Sequence, residues 1–289
     1  MTVDAADLRN LADRLHLVRG GRSWRGACPA CAYPRAFSLR PGKTAPLIFC
    51  ANGCRHADLR AVLAGAGMPP LPSRPPPHAE VTGRRRQGAA LRLAEASLPA
   101  LGTLADRYLT FRGLPGLAAS PALRFIAQAP HPEGQKLPAL VALVSDAGGR
   151  TVAVHRTYLA GDGQGKAAVE PSRASLGPVW GGAIRLAPST DAGALVVGEG
   201  IETAASAGCL LGLPAWAAIS AGNLARGLVL PPVVRSVVIA VDPDPPGEAA
   251  AQEAAERWMA AGLQVRLARP TDGGDFNDLL RGREVGDGG

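Results

Sequence analysis

Ala194-Leu195-Val196-Val197-Gly198-Glu199-Gly200-Ile201 decides the fold of this chain. Its apolar run has no polar face, which predicts a central parallel strand buried on both sides, ending at Glu199. Ile201, Ala205, Gly208 and Leu211 then form a helical stripe, and Gly212 supplies a stop. A second apolar run, Val237 to Val241, ends in Asp242-Pro243-Asp244, and Pro245-Pro246 suits the first turn of another helix. On that helix Ala250, Ala254, Trp258 and Ala261 face inward, Glu253 and Glu256 face out, and Gly262 closes it. Leu263 to Ala268 reads as the next strand, and Gly274-Asp275-Phe276-Asn277-Asp278-Leu279-Leu280 carries the last acidic group.

Ligands of an open parallel sheet bind outside the carboxyl ends of its strands, where Glu199 and the pair Asp242 and Asp244 are placed. Gathered carboxylates repel unless cations join them, and sparse oxygen ligands suit Mg²⁺ shared with substrate phosphates. Taken singly, Asp242 and Asp244 also suit a helix cap and a turn. In this order, Glu-Gly, then Asp-x-Asp, then Asp-x-x-Asp before a closing helix resembles the Toprim domain. That domain is shared by bacterial-type primases, type IA and II topoisomerases and some nucleases.

The chain is 289 residues long and 47% hydrophobic, room for one large or two modest domains. Arginine outnumbers lysine 28 to 3, which a G+C-rich coding sequence explains most cheaply. Charge is unevenly spread: residues 1–100 hold 15 Lys and Arg against 6 Asp and Glu, and residues 190–289 hold 7 against 13. A basic front and an acidic, metal-seeking back suit a polyanion that lies on the first and reacts at the second. No long apolar run exists, and Asp4 and Asp7 stand where a secretory signal needs a basic and then apolar stretch. A cytoplasmic protein with no membrane partner is expected.

Four of the five cysteines cluster as Cys28-Pro29-Ala30-Cys31 and Cys50-Ala51-Asn52-Gly53-Cys54, around a predicted strand-turn-strand segment. This is zinc-ribbon spacing, and a closed four-ligand site is structural rather than catalytic. The second knuckle has one extra residue, so His56 competes with Cys54 as the fourth ligand. Trp24, Arg25, Tyr33, Arg35, Phe37 and Arg40 interleave basic and aromatic groups, as a single-strand-binding surface does; core packing of Phe37 is an equal alternative. The fifth cysteine, Cys209, is expected as buried filler on a helix.

A proline-rich tether follows at Met68 to Pro77, closed by Arg84-Arg85-Arg86, which reads equally as a solvated run or a phosphate contact. Further on, Tyr108-Leu109-Thr110-Phe111-Arg112-Gly113-Leu114 narrows the resemblance to primases, whose core carries Tyr-Leu-x-x-Arg-Gly-Leu/Ile ahead of its Toprim half. Paired strands at 137–144 and 151–159 lead into Arg156 and Lys166, similar to the primase segment whose arginine and lysine line the path of template and nucleotide. Gly161 to Lys166 is one residue short of a phosphate loop, and Ala167 stands where its Ser or Thr must be, so no helicase motor is expected.

The reading is therefore an α/β chain: a zinc-ribbon module (1–67), a Pro/Arg-rich linker (68–90), an α+β primase-like core segment (91–190) and a Toprim parallel-sheet domain (191–289). The resemblance implies synthesis of short RNA primers on single-stranded DNA, as in compact primases of phage and mobile elements. Asp242 and Asp244, helped by Asp275 or Asp278, would hold Mg²⁺ or Mn²⁺, and Glu199 would share a metal or act as general base. Arg112, Arg156 and Lys166 would orient template and NTPs, and Arg35 and Arg84 to Arg86 would contact the strand. A separate replicative helicase is a further expected partner. The alternatives are a Toprim nuclease using the same carboxylates, and a non-catalytic zinc protein that binds single strands.

Overall fold

The structure, a computed structural model, describes residues 5–21, 23–30, 36–42, 46–50, 54, 56–65, 78–187, 194–271 and 274–286. Cys31, Tyr33, Arg35 and the proline-rich stretch lie outside them. The chain divides into two compact units, Met1–Ala79 and Glu80–Gly289.

In the first unit, helix α1 (Ala5–Arg14) and helix α2 (His56–Gly65) bracket four short strands. These are β1 (Val18–Gly20), β2 (Ser23–Gly26), β3 (Phe37–Arg40) and β4 (Leu47–Cys50), an antiparallel sheet in that order. Alternation along the strands sends Trp24, Phe37, Leu39, Ile48 and Cys50 into a core shared with Leu8, Leu11, Leu59 and Leu63. Trp24 and Phe37 are thus packing residues. The opposite face is open: Arg25 pairs with Ser38, Ser38 with Phe49, and Arg40 with Leu47. Phe49 remains 60% exposed there.

Helix α3 (His78–Ala96) begins two residues before the second unit and runs into it, so the chain is already helical from His78, within the stretch read as linker through residue 90. Ala90 of α3 packs with Leu93 and Ala94 on Val141 and Val154, while Arg84, Arg85 and Arg86 are exposed. After β5 (Leu98–Pro99) comes helix α4 (Leu104–Phe111), capped at its start by Thr103 Oγ1. An antiparallel sheet in the order β5-β6-β7-β8-β9 follows, with β6 (Leu123–Pro130), β7 (Lys136–Ser145), β8 (Thr151–Tyr158) and β9 (Arg173–Leu176).

The last sheet combines β10 (Ile184–Arg185), β11 (Ala194–Gly198), β12 (Ala215–Ala217), β13 (Ser236–Ala240) and β14 (Gln264–Ala268). Its order is β10-β12-β11-β13-β14; every neighbour pair is parallel except β10 with β12. Helices α5 (Ile201–Leu211), α6 (Pro245–Ala260) and α7 (Phe276–Gly286) supply the crossovers and the closing element. Cys209 of α5 is exposed rather than buried, because the small residues Ala204, Ala205, Ala207 and Gly208 make the packed side of that helix. One core joins the two sheets, running from Tyr108, Leu109 and Leu123 through Leu140 to Val196, Ile201, Val238 and Phe276.

Two features of this sheet escaped the sequence pattern. Strand β10 is two residues long and adds an antiparallel edge. A π-helical turn, Asn223–Gly227, follows β12 and is held by Asn223, whose Oδ1 accepts from Gly181 N and whose Nδ2 donates to Gly182 O and Ala218 O. Arg257 of α6 braces the same turn through the carbonyls of Leu224, Ala225 and Leu228.

Candidate active site

The chain leaves β11 toward β12 on one side and returns to β13 on the other, so the sheet has its switch point between β11 and β13. Gly198 and Ala240 are register partners there. Glu199 follows the first by one residue and Asp242 follows the second by two, which puts both at the carboxyl ends of neighbouring parallel strands.

Asp242 is half-buried, and Thr203 Oγ1 donates to its Oδ1 at 2.8 Å. Burial pushes its carboxyl above the ordinary range, and Asp244 and Asp275 push the same way, against the Thr203 hydroxyl and Arg173. That mutual influence places three carboxylates from two segments in one field. Asp244 is exposed and is also the N-cap of α6, accepting from Gly247 N at 2.7 Å. Gly247 is required here by close approach: a Cβ would stand 2.7 Å from Asp242 O and 2.9 Å from Asp244 Oδ1. Asp275 and Asp278 form a reciprocal cap on α7, with Asp278 N donating to Asp275 Oδ1 at 2.8 Å and Asp275 N donating to Asp278 Oδ2 at 3.3 Å.

Among the described residues, these carboxylates bring no three ligand atoms within 4.8 Å of one another. They fit Mg²⁺ that keeps much of its water rather than an all-protein cage. Burial first, and then the neighbouring charges of Asp244 and Asp275, disfavour the ionised Asp242, and a cation there would offset both.

Glu199 lines a pocket with His155, Thr157, Arg173 and Glu202, together with apolar residues that include Ala217 and Ile219. Ile219 N donates to Glu199 O at 2.8 Å, and Ile219 itself sits at φ 77°, strained for a β-branched residue. His155 Nδ1 lies 2.9 Å from Ser175 Oγ, and burial together with Arg173 pushes its imidazole down to about 3, so it is neutral at working pH. Burial alone would raise Glu202, but Lys166 and the Tyr108 hydroxyl outweigh it and hold the carboxyl down to about 2.

Lys166 reaches this neighbourhood, with Nζ 3.4 Å from Glu202 Oε1. Its loop closes on itself through Ala160 N to Gly165 O, and Lys166 forms an isolated antiparallel bridge with Leu159 rather than starting a helix. Arg156 does not reach it. Alternation along β8 turns His155 and Thr157 toward the pocket and Arg156 to the other side, where it is buried against the carbonyls of Pro130 and Ala174 and over the Tyr158 ring. Arg112 follows the last turn of α4, before Gly113 at φ 69°, and its carbonyl accepts from Asn277 Nδ2. Sequence reasoning missed Glu202, Thr203 and Arg173. Arg173 bears electrostatically on Tyr108, His155, Glu202 and Asp242 alike, yet nothing in its local sequence marks it.

In the first unit the sulfurs of Cys28, Cys50 and Cys54 all lie within 4.8 Å of one another, and Cys28 Sγ is 3.8 Å from Cys54 Sγ. A tetrahedron with Zn–S bonds of about 2.3 Å has edges of about 3.8 Å, so the three thiols fit Zn²⁺. The second knuckle contributes Cys54, and exposed His56 is not in the group.

A switch-point crevice edged by Glu-Gly on one strand and Asp-x-Asp on the next defines the class of this sheet, a Toprim domain. The domain family of that name matches residues 194–284, and residues 84–186 match a family described as a domain of unknown function, DUF7146. Beyond these domains, the chain is similar to the Aquifex aeolicus primase (zinc binding and RNA polymerase domains), with a TM-score of 0.51 and 15% identity over 99% of this chain and 85% of that one. It is also similar to the DnaG primase catalytic domain bound to ssDNA, with a TM-score of 0.48 and 18% identity over 72% and 78%. The primase fragment of the bacteriophage T7 primase-helicase protein gives a TM-score of 0.43 and 16% identity over 92% and 98%. No curated protein matches. The chain thus carries a Toprim domain within a primase-like fold. No helix among the described residues is long and apolar enough to cross a membrane.

Proposed function

We propose that the chain is a DNA primase, joining ribonucleotides on a single-stranded DNA template by metal-dependent nucleotidyl transfer. The observation that carries this reading is the position of Glu199 and Asp242 at the carboxyl ends of neighbouring parallel strands, with Arg173 lining the pocket beside Glu199 and acting on Asp242. Asp242 and Asp244, with Asp275, would hold Mg²⁺ or Mn²⁺, which when bound would supply charge neutralisation for the triphosphate and the leaving pyrophosphate.

The chain's own groups do the rest. The 3′-hydroxyl oxygen of the growing strand attacks the α-phosphorus of the incoming NTP, and the bond to pyrophosphate breaks. Glu199 receives the hydroxyl proton or shares the metal. Lys166 and Arg173 orient the triphosphate by charge-assisted hydrogen bonds. The zinc module, with Cys31 completing the ligand set, holds the template on the open face bearing Arg25, Arg40 and Phe49. Arg84 to Arg86 contact phosphates from α3.

Incubation with single-stranded DNA, NTPs and Mg²⁺ or Mn²⁺ tests the reading. Short RNA products are expected from the wild type and none from Asp242→Ala. Absence of wild-type product, or undiminished product from the variant, overturns it. Strand cleavage that needs no nucleotide would instead assign the same carboxylates to hydrolysis.

A further inference from the structure

Three elements meet on one carboxylate oxygen at the edge of the pocket. Tyr108 of α4 donates from its hydroxyl to Glu202 Oε1 at 2.5 Å, and Lys166, from the loop after β8, places Nζ 3.4 Å from the same oxygen. Glu202 occupies the first turn of α5, where the helix dipole favours a negative side chain. The pair is asymmetric: the Glu202 side chain is 12% exposed and that of Lys166 is 32% exposed. The carboxylate end is packed and anchored, and the ammonium end is open. An ammonium has three N–H donors, and a single ion pair at 3.4 Å leaves donors available at the open end.

We propose that Glu202 is a positioning residue: gripped by Tyr108, it holds the Lys166 ammonium at the pocket rim, where its remaining donors meet the phosphate oxygens of a nucleoside triphosphate. This rests on the nucleotidyl-transfer reading above. A free lysine stem samples many rotamers, and ordering it on binding weakens affinity by roughly 2- to 12-fold. The competing effect is repulsion between Glu202 and the triphosphate, which would make removal of the carboxylate tighten binding. The Tyr108 hydroxyl and the Lys166 charge already engage Oε1 and offset much of that repulsion, so the loss of order dominates.

The test is primer synthesis by the full zinc-loaded chain, with NTP titrated at fixed Mg²⁺, for wild type, Glu202→Gln, Lys166→Met and the double variant. Glu202→Gln is expected to raise KM for NTP about tenfold with little change in kcat, and to add nothing on the Lys166→Met background. A purely structural role predicts lower melting temperature with the two effects multiplying, and that result overturns the proposal. So does an unchanged or lower KM in Glu202→Gln, or a changed Mg²⁺ requirement at constant NTP KM, which would make Glu202 a metal ligand. Should Glu202→Gln fail to fold, Tyr108→Phe removes the anchor and keeps the ion pair; a KM raised about twofold supports the proposal and an unchanged KM overturns it. A wild-type chain that incorporates no nucleotide overturns the underlying reading. An active wild type matched by Lys166→Met overturns this inference and the role of Lys166 in orienting the triphosphate, and leaves nucleotidyl transfer at the carboxylates standing.

Discussion

Asn277 Nδ2 donates to the Arg112 carbonyl at 2.6 Å, tying the last acidic motif to the end of the Tyr-Leu-x-x-Arg-Gly helix across 165 residues. The same nitrogen donates to Ser206 Oγ of α5 at 3.1 Å, and Asn277 is fully buried. Asn277→Ala removes both bonds and leaves the Arg112 carbonyl unanswered. It should cost roughly 2 kcal/mol of stability, against about 1 for Ser206→Ala, read by thermal or urea unfolding of the whole chain.

Thr203 is one of the groups that bear on the proton affinity of Asp242. Burial already lifts that carboxyl above its ordinary value, and the Thr203 hydroxyl is the hydrogen bond opposing the rise. Thr203→Val therefore lifts it further. Protons then compete with Mg²⁺ at higher pH, so the variant should lose more Mg²⁺ affinity at about pH 5 than at about pH 8. Calorimetric titration at both values measures this; an equal loss at both would exclude a protonation origin.

Glu202 behaves in the opposite sense. Its folded carboxyl is held down to about 2 from an ordinary value of 4.5. Its stabilisation is therefore complete above the unfolded value and drains away as pH falls toward the folded one. Glu202→Gln should flatten the acid limb of the stability curve within that window, checked by denaturant unfolding at several pH values.

Gly247 is the only residue type its position accepts without moving the acidic loop. Gly247→Ala drives a methyl against Asp242 O, Asp242 Cβ and Asp244 Oδ1, all within 2.9 Å. Overpacking of this kind costs about 1–3 kcal/mol, and because it displaces both aspartates, primer synthesis should fall more steeply than stability. Parallel assays of product yield and melting temperature separate the two.

The first unit should carry one zinc per chain, measurable by elemental analysis. Cys54→Ser or a strong chelator should unfold the β1–β4 sheet, because metal binding there is folding energy. With the zinc retained, Phe49→Ala should weaken single-strand binding by about 1–3 kcal/mol through lost stacking. Arg25→Ala or Arg40→Ala should instead reduce its salt dependence, followed by fluorescence anisotropy at several salt concentrations.

The sequence by itself determined the local elements and the ends of the parallel strands. Short unbroken apolar runs bounded by turn residues suit doubly covered strands, and Glu199, Asp242 and Asp244 follow such runs directly, so their common edge was legible at short range. Cysteine spacing located the metal module for the same reason. Tertiary structure alone decided which cations join the carboxylates. Arg156 and His155 are adjacent in sequence and β alternation sends them to opposite faces, so the arginine packs on backbone carbonyls while the histidine meets the pocket. Arg173, Glu202 and Tyr108 converge from three segments, and their partnership exists only once the sheets share a core. Long-range electrostatics depends on distance in space, which no spacing along the chain encodes.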